Sequence, residues 1–291
     1  MPQALFTGCA SALITPFQNG NVDYPALERI LEFQLENGID GIVACGTTGE
    51  PSAMTGEEWE SVLSFVIEKV RDRVPVIAGT GGNCTMDVIH KARRAKELGA
   101  DAQLCVTPYY NKTTQTGLIA HYTAIARDGA LPVILYNVPS RTGLNMQPKT
   151  LEILSREENI IGMKEASGNM LQIMEMIRLC GDRIAFYSGS DELTAPMRAV
   201  GGLGTISVLA NIAPGMMRDM THLPVEEAAK LNLKYLPLIN ALFSEVNPIP
   251  VKAAAAMMGL CENEVRLPLV PLSEENEQKL KTEMQKAGLI C

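Results

Sequence analysis

Short apolar runs alternate with longer amphipathic segments along most of this chain. The short runs are typical of buried parallel strands, and the longer segments carry apolar residues at helical spacing. Eight such runs are present, at residues 10–15, 41–45, 74–78, 102–106, 132–136, 160–164, 184–188 and 204–207. Because eight strands with intervening helices close into a barrel, we expect an α/β chain with the (β/α)8 TIM-barrel fold.

Helix-start signals between these runs agree with the alternation. Asp23 precedes an apolar stripe and is suited to cap a helix, and Thr55 and Glu58 have the spacing of a capping box. An open doubly wound sheet is the alternative fold. The first strand lacks the G-x-G-x-x-G turn of that fold, and the glycines at 79–83 do not have its spacing, so the barrel is favoured.

The pattern changes after about residue 214, where one helical period follows another without a strand between them. The predicted helices there cover residues 225–235, 238–243, 251–258 and 274–287. We therefore divide the chain into a catalytic barrel at 1–223 and a C-terminal helical extension at 224–291. The segment Asn-Pro-Ile-Pro-Val-Lys at 247–252 is predicted to be an extended turn leading into a helix, since residues before proline avoid the helical region.

Composition argues against several classes of function. The chain has 25 basic and 33 acidic side chains and a net charge of -8, and its basic residues form no block, so we expect no nucleic-acid partner. The cysteines show no C-x-x-C pair and the histidines no metal-ligand spacing, which predicts reduced thiols and no metal site. No apolar run reaches the ~18 residues of a membrane span and the start has no signal pattern, so we expect no membrane partner and a cytoplasmic location.

Lys164 is the strongest candidate for chemistry, because it stands where the sixth apolar run meets a small, polar turn. An amine half-buried at a strand end loses solvation of its charged form, so its pKa falls and the nucleophilic neutral form becomes accessible. Such an amine is suited to Schiff-base chemistry. Taken alone, a lysine in this position is more often a surface charge. The residues at the other strand ends therefore decide between a surface and a catalytic role.

Polar segments follow several of the other predicted strands, at the end of the barrel where TIM barrels place their active sites. They are Gly-Thr-Thr-Gly-Glu at 46–50, Thr-Pro-Tyr-Tyr-Asn at 107–111, Tyr-Asn-Val-Pro-Ser-Arg-Thr-Gly at 136–143 and Gly-Ser-Asp at 189–191. Each alone is an ordinary strand-to-helix connection. Together, an amine, tyrosine hydroxyls, a pair of threonines and an arginine are suited to carbonyl chemistry on an acid.

These segments resemble the pyruvate-dependent class I aldolases and lyases, and more narrowly the dihydrodipicolinate synthase family. The broader likeness lies in 46–50, 136–139 and 164–168, and the narrower one in 108–111, 138–143 and 247–252. The resemblance spans essentially the whole chain. It implies a (β/α)8 barrel with a C-terminal helical domain, a homotetramer built as a dimer of dimers, and a lyase acting early in bacterial lysine biosynthesis.

The resemblance also implies a reaction. Lys164 would form an imine with pyruvate, and the derived enamine would add to L-aspartate 4-semialdehyde to give 4-hydroxy-tetrahydrodipicolinate, with no cofactor beyond the covalent imine. Tyr136 would be the acid and base, and Thr47 and Tyr110 would complete a hydroxyl relay with it. Tyr110 would reach in from the neighbouring subunit.

The same resemblance assigns residues to the two substrates. Thr48 would bind the pyruvate carboxylate, and Gly189 and Ile206 would line the floor of the pyruvate site. Arg141 would hold the carboxylate of the second substrate bidentately, which a lysine would do less well.

A regulatory lysine site of the family is matched only in part. The resemblance assigns to it Ser52, Ala53, Gly56, Trp59, Asn83, Asp87 and Tyr109. Gly56 and Trp59 replace the rings usual there, and Asp87 is one methylene shorter than the usual glutamate, so we expect lysine to inhibit weakly or not at all. The alternative is that Trp59 offers an aromatic face to the ammonium of the ligand.

Three other interpretations stay open. Another aldolase of the superfamily would act on a keto-deoxy sugar acid or a sialic acid, but a neutral polyol gives Arg141 no carboxylate to bind. A non-catalytic keto-acid sensor would need a pocket but no proton relay. A phosphate-binding barrel that uses the glycines at 201–204 rests on a weaker motif.

Overall fold

The structure, a computed structural model, describes residues 4–291 and shows a closed barrel of eight parallel strands. The strands in this range are β1 (Gly8–Ala12), β2 (Phe17–Gln18), β3 (Asn21–Val22), β4 (Gly41–Ala44), β5 (Val76–Gly79), β6 (Ala102–Val106), β7 (Val133–Asn137), β8 (Ile160–Glu165), β9 (Ala185–Ser188) and β10 (Gly204–Ser207). β2 and β3 form a separate antiparallel hairpin, and the other strands pair in chain order until β10 closes on β1. The predicted TIM barrel is confirmed.

Helices follow the strands on the outside of the barrel and continue beyond its last strand. They are α1 (Tyr24–Glu36), α2 (Gly56–Val70), α3 (Thr85–Leu98), α4 (Gln115–Asp128), α5 (Pro139–Thr142), α6 (Pro148–Leu154), α7 (Met170–Cys180), α8 (Thr194–Ala199), α9 (Pro214–His222), α10 (Val225–Leu242), α11 (Ile249–Met257) and α12 (Glu274–Lys286). Asp23 caps α1 by accepting from the Ala26 N–H, and Thr55 and Glu58 form the predicted capping box of α2.

The first strand departs most from its predicted bounds of 10–15, since β1 begins at Gly8 and ends at Ala12. Gly8 has a φ of 111°, and a Cβ there would overlap the Asp40 carboxylate, so only glycine fits the start of this strand. Beyond β1, the Ile14 N–H donates to Asn211 Oδ1 at 2.9 Å instead of to a strand. The apolar run therefore continues after the strand has ended.

The C-terminal helices differ from the prediction in two respects. The segment 247–252 is not an extended turn, because α11 already begins at Ile249, with Pro250 in its first turn where a proline is tolerated. Residues 225–235 and 238–243 were expected to form two helices, but α10 is a single helix that contains Pro237. The helix accepts the proline at the cost of one backbone hydrogen bond. Leu238 of α10 and Leu280 of α12 belong to the same buried apolar cluster as Ile42 of β4, so the C-terminal helices share a core with the barrel.

Three further observations concern the membrane, metal and disulfide expectations. No helix in residues 4–291 is long and apolar enough to cross a membrane. Within the same range, no group of three or more His, Cys, Asp or Glu side chains is arranged to hold a metal ion. All seven cysteines are free thiols.

Candidate active site

A cavity of about 290 Å³ opens at the carboxyl ends of the barrel strands. Its wall contains six of the residues predicted for the site, namely Thr47, Thr48, Tyr136, Arg141, Lys164 and Gly189. They come from segments that are far apart in the sequence, and the barrel brings them together because parallel strands end at one face.

Lys164 is the penultimate residue of β8, and its side chain is only 5% exposed. Its Nζ lies 4.5 Å from the centroid of the Tyr136 ring, because β7 and β8 pair these two residues side by side. Burial lowers the pKa of the Lys164 amine to about 8, an effect that the Asp191 carboxylate opposes and the Arg141 guanidinium assists. An appreciable fraction of the amine is therefore neutral, and so nucleophilic, near neutral pH.

Gly189 leaves the room that the Lys164 side chain occupies. A Cβ at Gly189 would lie 2.7 Å from the Ala166 Cβ and 3.0 Å from Lys164 Cε. The Gly189 N–H donates to the Glu165 carbonyl at 2.8 Å, which fixes this turn against the end of β8. A larger residue here would displace the amine from its position in the cavity.

Tyr136 is the buried phenol beside the amine. Burial raises the pKa of its hydroxyl to about 12, while Arg141 lowers this pKa and Glu165 raises it. The phenol is therefore protonated at neutral pH. In its resting state it is equipped to donate a proton rather than to accept one.

The Gly-Thr-Thr-Gly-Glu segment follows β4 and contains the short 3-10 turn Thr47–Gly49. Glu50, with a φ of 55°, joins it to a second such turn, Pro51–Ala53. Thr48 is buried, and its Oγ1 accepts a hydrogen bond of 2.9 Å from Asn247 Nδ2. Thr47 is exposed to the cavity and also lines a neighbouring cavity of about 290 Å³ that leads towards Ser52 and Tyr109.

Arg141 lies in the short helix α5 and is exposed at the mouth of the cavity. One of its five N–H groups donates to the Asn247 carbonyl, with Nη2 and the oxygen 3.2 Å apart. The remaining donors are available for a bidentate contact with a carboxylate that enters the cavity.

Two predicted residues are not part of the cavity wall in this chain. Ile206 is buried inside the barrel among Tyr136, Val43 and other apolar side chains, beneath the site rather than at its surface. Tyr110 is 91% exposed, with a φ of 67°, on the loop after β6. Within residues 4–291, the hydroxyls of Thr47, Tyr136 and Tyr110 form no hydrogen bonds with one another, so a single chain does not assemble the predicted relay.

The residues predicted for a lysine site are divided between different places. Asn83, Asp87 and Tyr109 line a third cavity, of about 320 Å³. Ser52 lines the neighbouring cavity described above, whereas Ala53 and Gly56 lie outside both, on the turn before α2 and at its first residue.

Trp59 is a core residue. Its side chain is 3% exposed, and its indole N–H donates to the Gly79 carbonyl at 3.2 Å. The ring is covered by the protein, and Lys91 Nζ lies 5.9 Å from its centroid, so within this chain the indole already has a cation beside it.

Several residues of the cavity wall were not predicted as site residues. They are Ser190, Glu192, Val208, Phe243 and Asn247, with the smaller residues Ala12, Val43, Gly46, Leu104, Val138, Ser140 and Ala166 between them. Asn247 is the first residue of the 247–252 motif, and Gly46, Val138, Ser140, Ala166 and Ser190 lie in the strand-end motifs, whereas Glu192, Val208 and Phe243 had no signal in the sequence. Phe243 and Asn247 show that the chain after α10 returns to the mouth of the barrel.

Comparison with known proteins identifies the family. The model of the dihydrodipicolinate synthetase family matches residues 5–287. The chain belongs to this family. It is 52% identical over 290 residues to the 4-hydroxy-tetrahydrodipicolinate synthase of Geobacter sulfurreducens, which covers 98% of this chain and 100% of that protein.

Solved structures of the synthase family agree with this assignment. The dihydrodipicolinate synthase of Acinetobacter baumannii, solved in complex with pyruvate, is 44% identical, with a TM-score of 0.96 and coverage of 98% of this chain and 99% of that one. The enzyme of Cyanidioschyzon merolae with lysine bound is 38% identical, with a TM-score of 0.95 and coverage of 99% and 100%. The family expected from the sequence motifs is thereby confirmed.

Proposed function

We propose that this chain is the lyase that condenses pyruvate with L-aspartate 4-semialdehyde to give 4-hydroxy-tetrahydrodipicolinate, the first committed step of lysine and diaminopimelate biosynthesis. Family membership and the 4-hydroxy-tetrahydrodipicolinate synthases among its relatives support this reaction. The observation that carries the proposal is the buried amine of Lys164, with its pKa of about 8, in a cavity that also contains Arg141.

The first half of the reaction uses Lys164 and Tyr136. The neutral amine attacks the ketone of pyruvate, and the carbinolamine loses water when the Tyr136 phenol supplies a proton to the departing hydroxyl. The protonated imine then withdraws electrons from the methyl carbon, so a weak base removes a methyl proton and leaves an enamine. The imine itself is the electron sink, and we assign no further cofactor to the site.

The second half uses the charges at the cavity mouth. The enamine carbon adds to the aldehyde of the second substrate, whose carboxylate Arg141 holds bidentately. Glu192 lines the same cavity, so the wall offers a negative charge as well as the positive charge of Arg141 to a substrate that carries both a carboxylate and an ammonium group. Finally, the substrate's own amine attacks the imine carbon, which closes the ring and releases Lys164.

The exposure of Tyr110 supports a role in an assembly. An exposure of 91% is unusual for a tyrosine expected in a proton relay. As in the family resemblance, we propose a homotetramer made of two dimers, located in the cytoplasm, in which Tyr110 completes the relay of the neighbouring subunit. Tyr110 would then complete the hydroxyl relay of Tyr136 and Thr47 only in the dimer.

The other interpretations fit the site less well. A sugar-acid aldolase would leave the Arg141 guanidinium without a partner, and a sensor would need neither the lowered pKa of Lys164 nor the adjacent phenol. The glycines proposed for phosphate binding serve packing instead. A Cβ at Gly202 would lie 2.9 Å from Met197, and one at Gly204 would overlap the Gly8 carbonyl.

Replacement of Arg141 by alanine tests the choice of the second substrate. We expect the KM for aspartate semialdehyde to rise roughly 10- to 100-fold, corresponding to about 1.5–3 kcal/mol for a charge-assisted hydrogen bond. The KM for pyruvate should change far less, because the carboxylate of pyruvate is assigned to Thr48. Steady-state kinetics with each substrate varied in turn, and with sugar aldehydes as competing acceptors, provide the measurement.

Arg156→Ala is the matched control, since Arg156 is an exposed guanidinium whose Nη2 lies 3.7 Å from Glu152 on the outside of the barrel. It should leave both KM values unchanged. An equal loss for both substrates in Arg141→Ala would show that Arg141 holds the site together. Faster turnover with a sugar aldehyde than with aspartate semialdehyde in the unmodified protein would refute the proposed reaction.

Lysine is expected to inhibit the reaction weakly or not at all. Among residues 4–291, Asp87 is the only carboxylate in the wall of the cavity that contains Asn83 and Tyr109, and Lys91 of the same wall adds a competing cation. Gly56 contributes no ring, and Trp59 is buried in the core. A titration of the steady-state rate with lysine is the measurement, and half-inhibition below about 1 mM, a range in which a specific charged ligand binds with about 4 kcal/mol or more, would contradict the expectation.

A further inference from the structure

Asn247 contacts both groups to which the proposed function assigns substrate carboxylates. Its side-chain Nδ2 donates to Thr48 Oγ1 at 2.9 Å, and its backbone carbonyl accepts from Arg141 Nη2 at 3.2 Å. The residue lines the cavity and is only 6% exposed. One buried residue from the C-terminal part of the chain therefore connects the two carboxylate-binding groups.

The contact with Thr48 determines what the threonine hydroxyl is free to do. A hydroxyl has one hydrogen to donate and two lone pairs that accept. Since Asn247 Nδ2 donates to the Thr48 oxygen, the hydroxyl is held as an acceptor on that side and its own hydrogen remains for a ligand. A carboxylate has only acceptor atoms, so it requires a donor in this position.

The other end of the Asn247 side chain has no partner. Its Oδ1 is fully buried and accepts no hydrogen bond from any described residue. An unsatisfied buried acceptor is unfavourable for the folded protein, so each one calls for an explanation. The amide is thus poorly explained by stability alone.

A second contact holds the same segment against the loop that carries Thr48. Lys252 Nζ of α11 forms a salt bridge of 2.7 Å with Glu50 Oε1, and both side chains are buried. The other oxygen, Glu50 Oε2, accepts from the Arg266 N–H at 3.1 Å. Because a buried ion pair is costly to separate, it fixes Glu50, two residues after Thr48, relative to Asn247.

We infer that Asn247 is a positioning residue for the pyruvate carboxylate, acting through Thr48. Its amide orients the Thr48 hydroxyl as a donor into the cavity, while its backbone carbonyl holds Arg141 at the mouth. The Lys252–Glu50 ion pair holds the loop that carries Thr48 in place relative to the segment that carries Asn247. This inference rests on the proposed function, because it takes pyruvate as the ligand of Thr48.

The first test compares Asn247→Ala with Asn247→Asp. Alanine removes the amide but keeps the backbone carbonyl, so the KM for pyruvate should rise roughly tenfold and that for aspartate semialdehyde less than about threefold. Aspartate keeps the shape of the side chain but removes the donor and adds a negative charge beside the bound carboxylate. It should therefore raise the KM for pyruvate more than alanine does, whereas a purely structural role would make the isosteric aspartate the milder change.

The second test is a double-variant cycle with Thr48→Val, which keeps the shape of the threonine but removes its hydroxyl. If Asn247 acts through that hydroxyl, Asn247→Ala should weaken pyruvate binding in the unmodified background but hardly at all in Thr48→Val. The inference is overturned if the two substitutions raise the KM for pyruvate by independent factors, or if Asn247→Ala leaves that KM unchanged.

Trapping with pyruvate and borohydride separates this inference from the proposed reaction, because it needs no second substrate. The pyruvate concentration that gives half-maximal trapping should rise in both Asn247 variants. Trapping of the unmodified protein without turnover of aspartate semialdehyde would refute the proposed reaction while leaving the inference intact. If half-maximal trapping needs the same pyruvate concentration in all variants, the inference is refuted but the proposed reaction is not.

Discussion

Lys164→Ala should abolish the condensation, with kcat/KM falling by roughly 10³-fold or more, the scale typical for loss of a covalent nucleophile. The reason is that, among residues 4–291, Lys164 provides the only amine in the wall of the cavity that also contains Thr48 and Gly189. Steady-state kinetics with both substrates provide the measurement. The free energy of unfolding should not fall, because the variant removes a buried, unpaired ammonium group.

Lys164→Arg is the matched variant, since it keeps a positive charge but offers no neutral amine at any accessible pH. It should be as inactive as the alanine variant. Substantial turnover by Lys164→Arg would mean that the site needs only a cation, and the Schiff-base mechanism would then be wrong.

Tyr136→Phe should lower kcat by roughly 10²- to 10³-fold, the range expected for loss of a general acid, with a smaller change in the KM for pyruvate. The ring that packs 4.5 Å from Lys164 Nζ is retained, so the amine keeps its environment. The variant should therefore still form the imine, but slowly, which rapid-mixing measurements of imine formation would show.

Tyr187→Phe is the control for Tyr136→Phe. The Tyr187 hydroxyl is buried inside the same barrel and donates to the Phe6 carbonyl at 2.8 Å. Its loss should lower the free energy of unfolding by about 1 kcal/mol or more, because the carbonyl is left unsatisfied, but should leave kcat unchanged. Equal effects of the two variants on kcat would argue against a proton-transfer role for Tyr136.

The barrel was predictable because its signal is local and repeated. Each buried parallel strand is a short apolar run, and each covering helix has apolar residues at helical spacing, so periodicity alone gives the element order. Strand ends were less predictable. Residues 13–15 are as apolar as β1, and the hydrogen bond from Ile14 to Asn211 that ends the strand joins parts of the chain far apart in the sequence.

The position of Lys164 was predictable for the same reason, since a lysine at the end of a buried run must lie at the barrel mouth. The contact between Asn247 and Thr48 was not, because it joins residues 199 positions apart. Glu192 and Phe243 likewise enter the cavity through tertiary packing. The orientation of Trp59 was also hidden from the sequence, because the first turns of α2 are amphipathic and the pattern alone did not show which way the indole points.

Incubation of the protein with pyruvate and borohydride, followed by location of the adduct by peptide mass, tests directly whether Lys164 is the nucleophile. We expect one pyruvate-derived adduct, on Lys164, whose rate of formation rises with pH and levels off above the pKa of about 8. Lys252 is the informative comparison, because it is also a buried amine with a lowered pKa, but it is paired with Glu50 and lines no part of the cavity. An adduct on Lys252 or on a surface lysine, or no adduct at all, would contradict the assignment of Lys164 as the nucleophile.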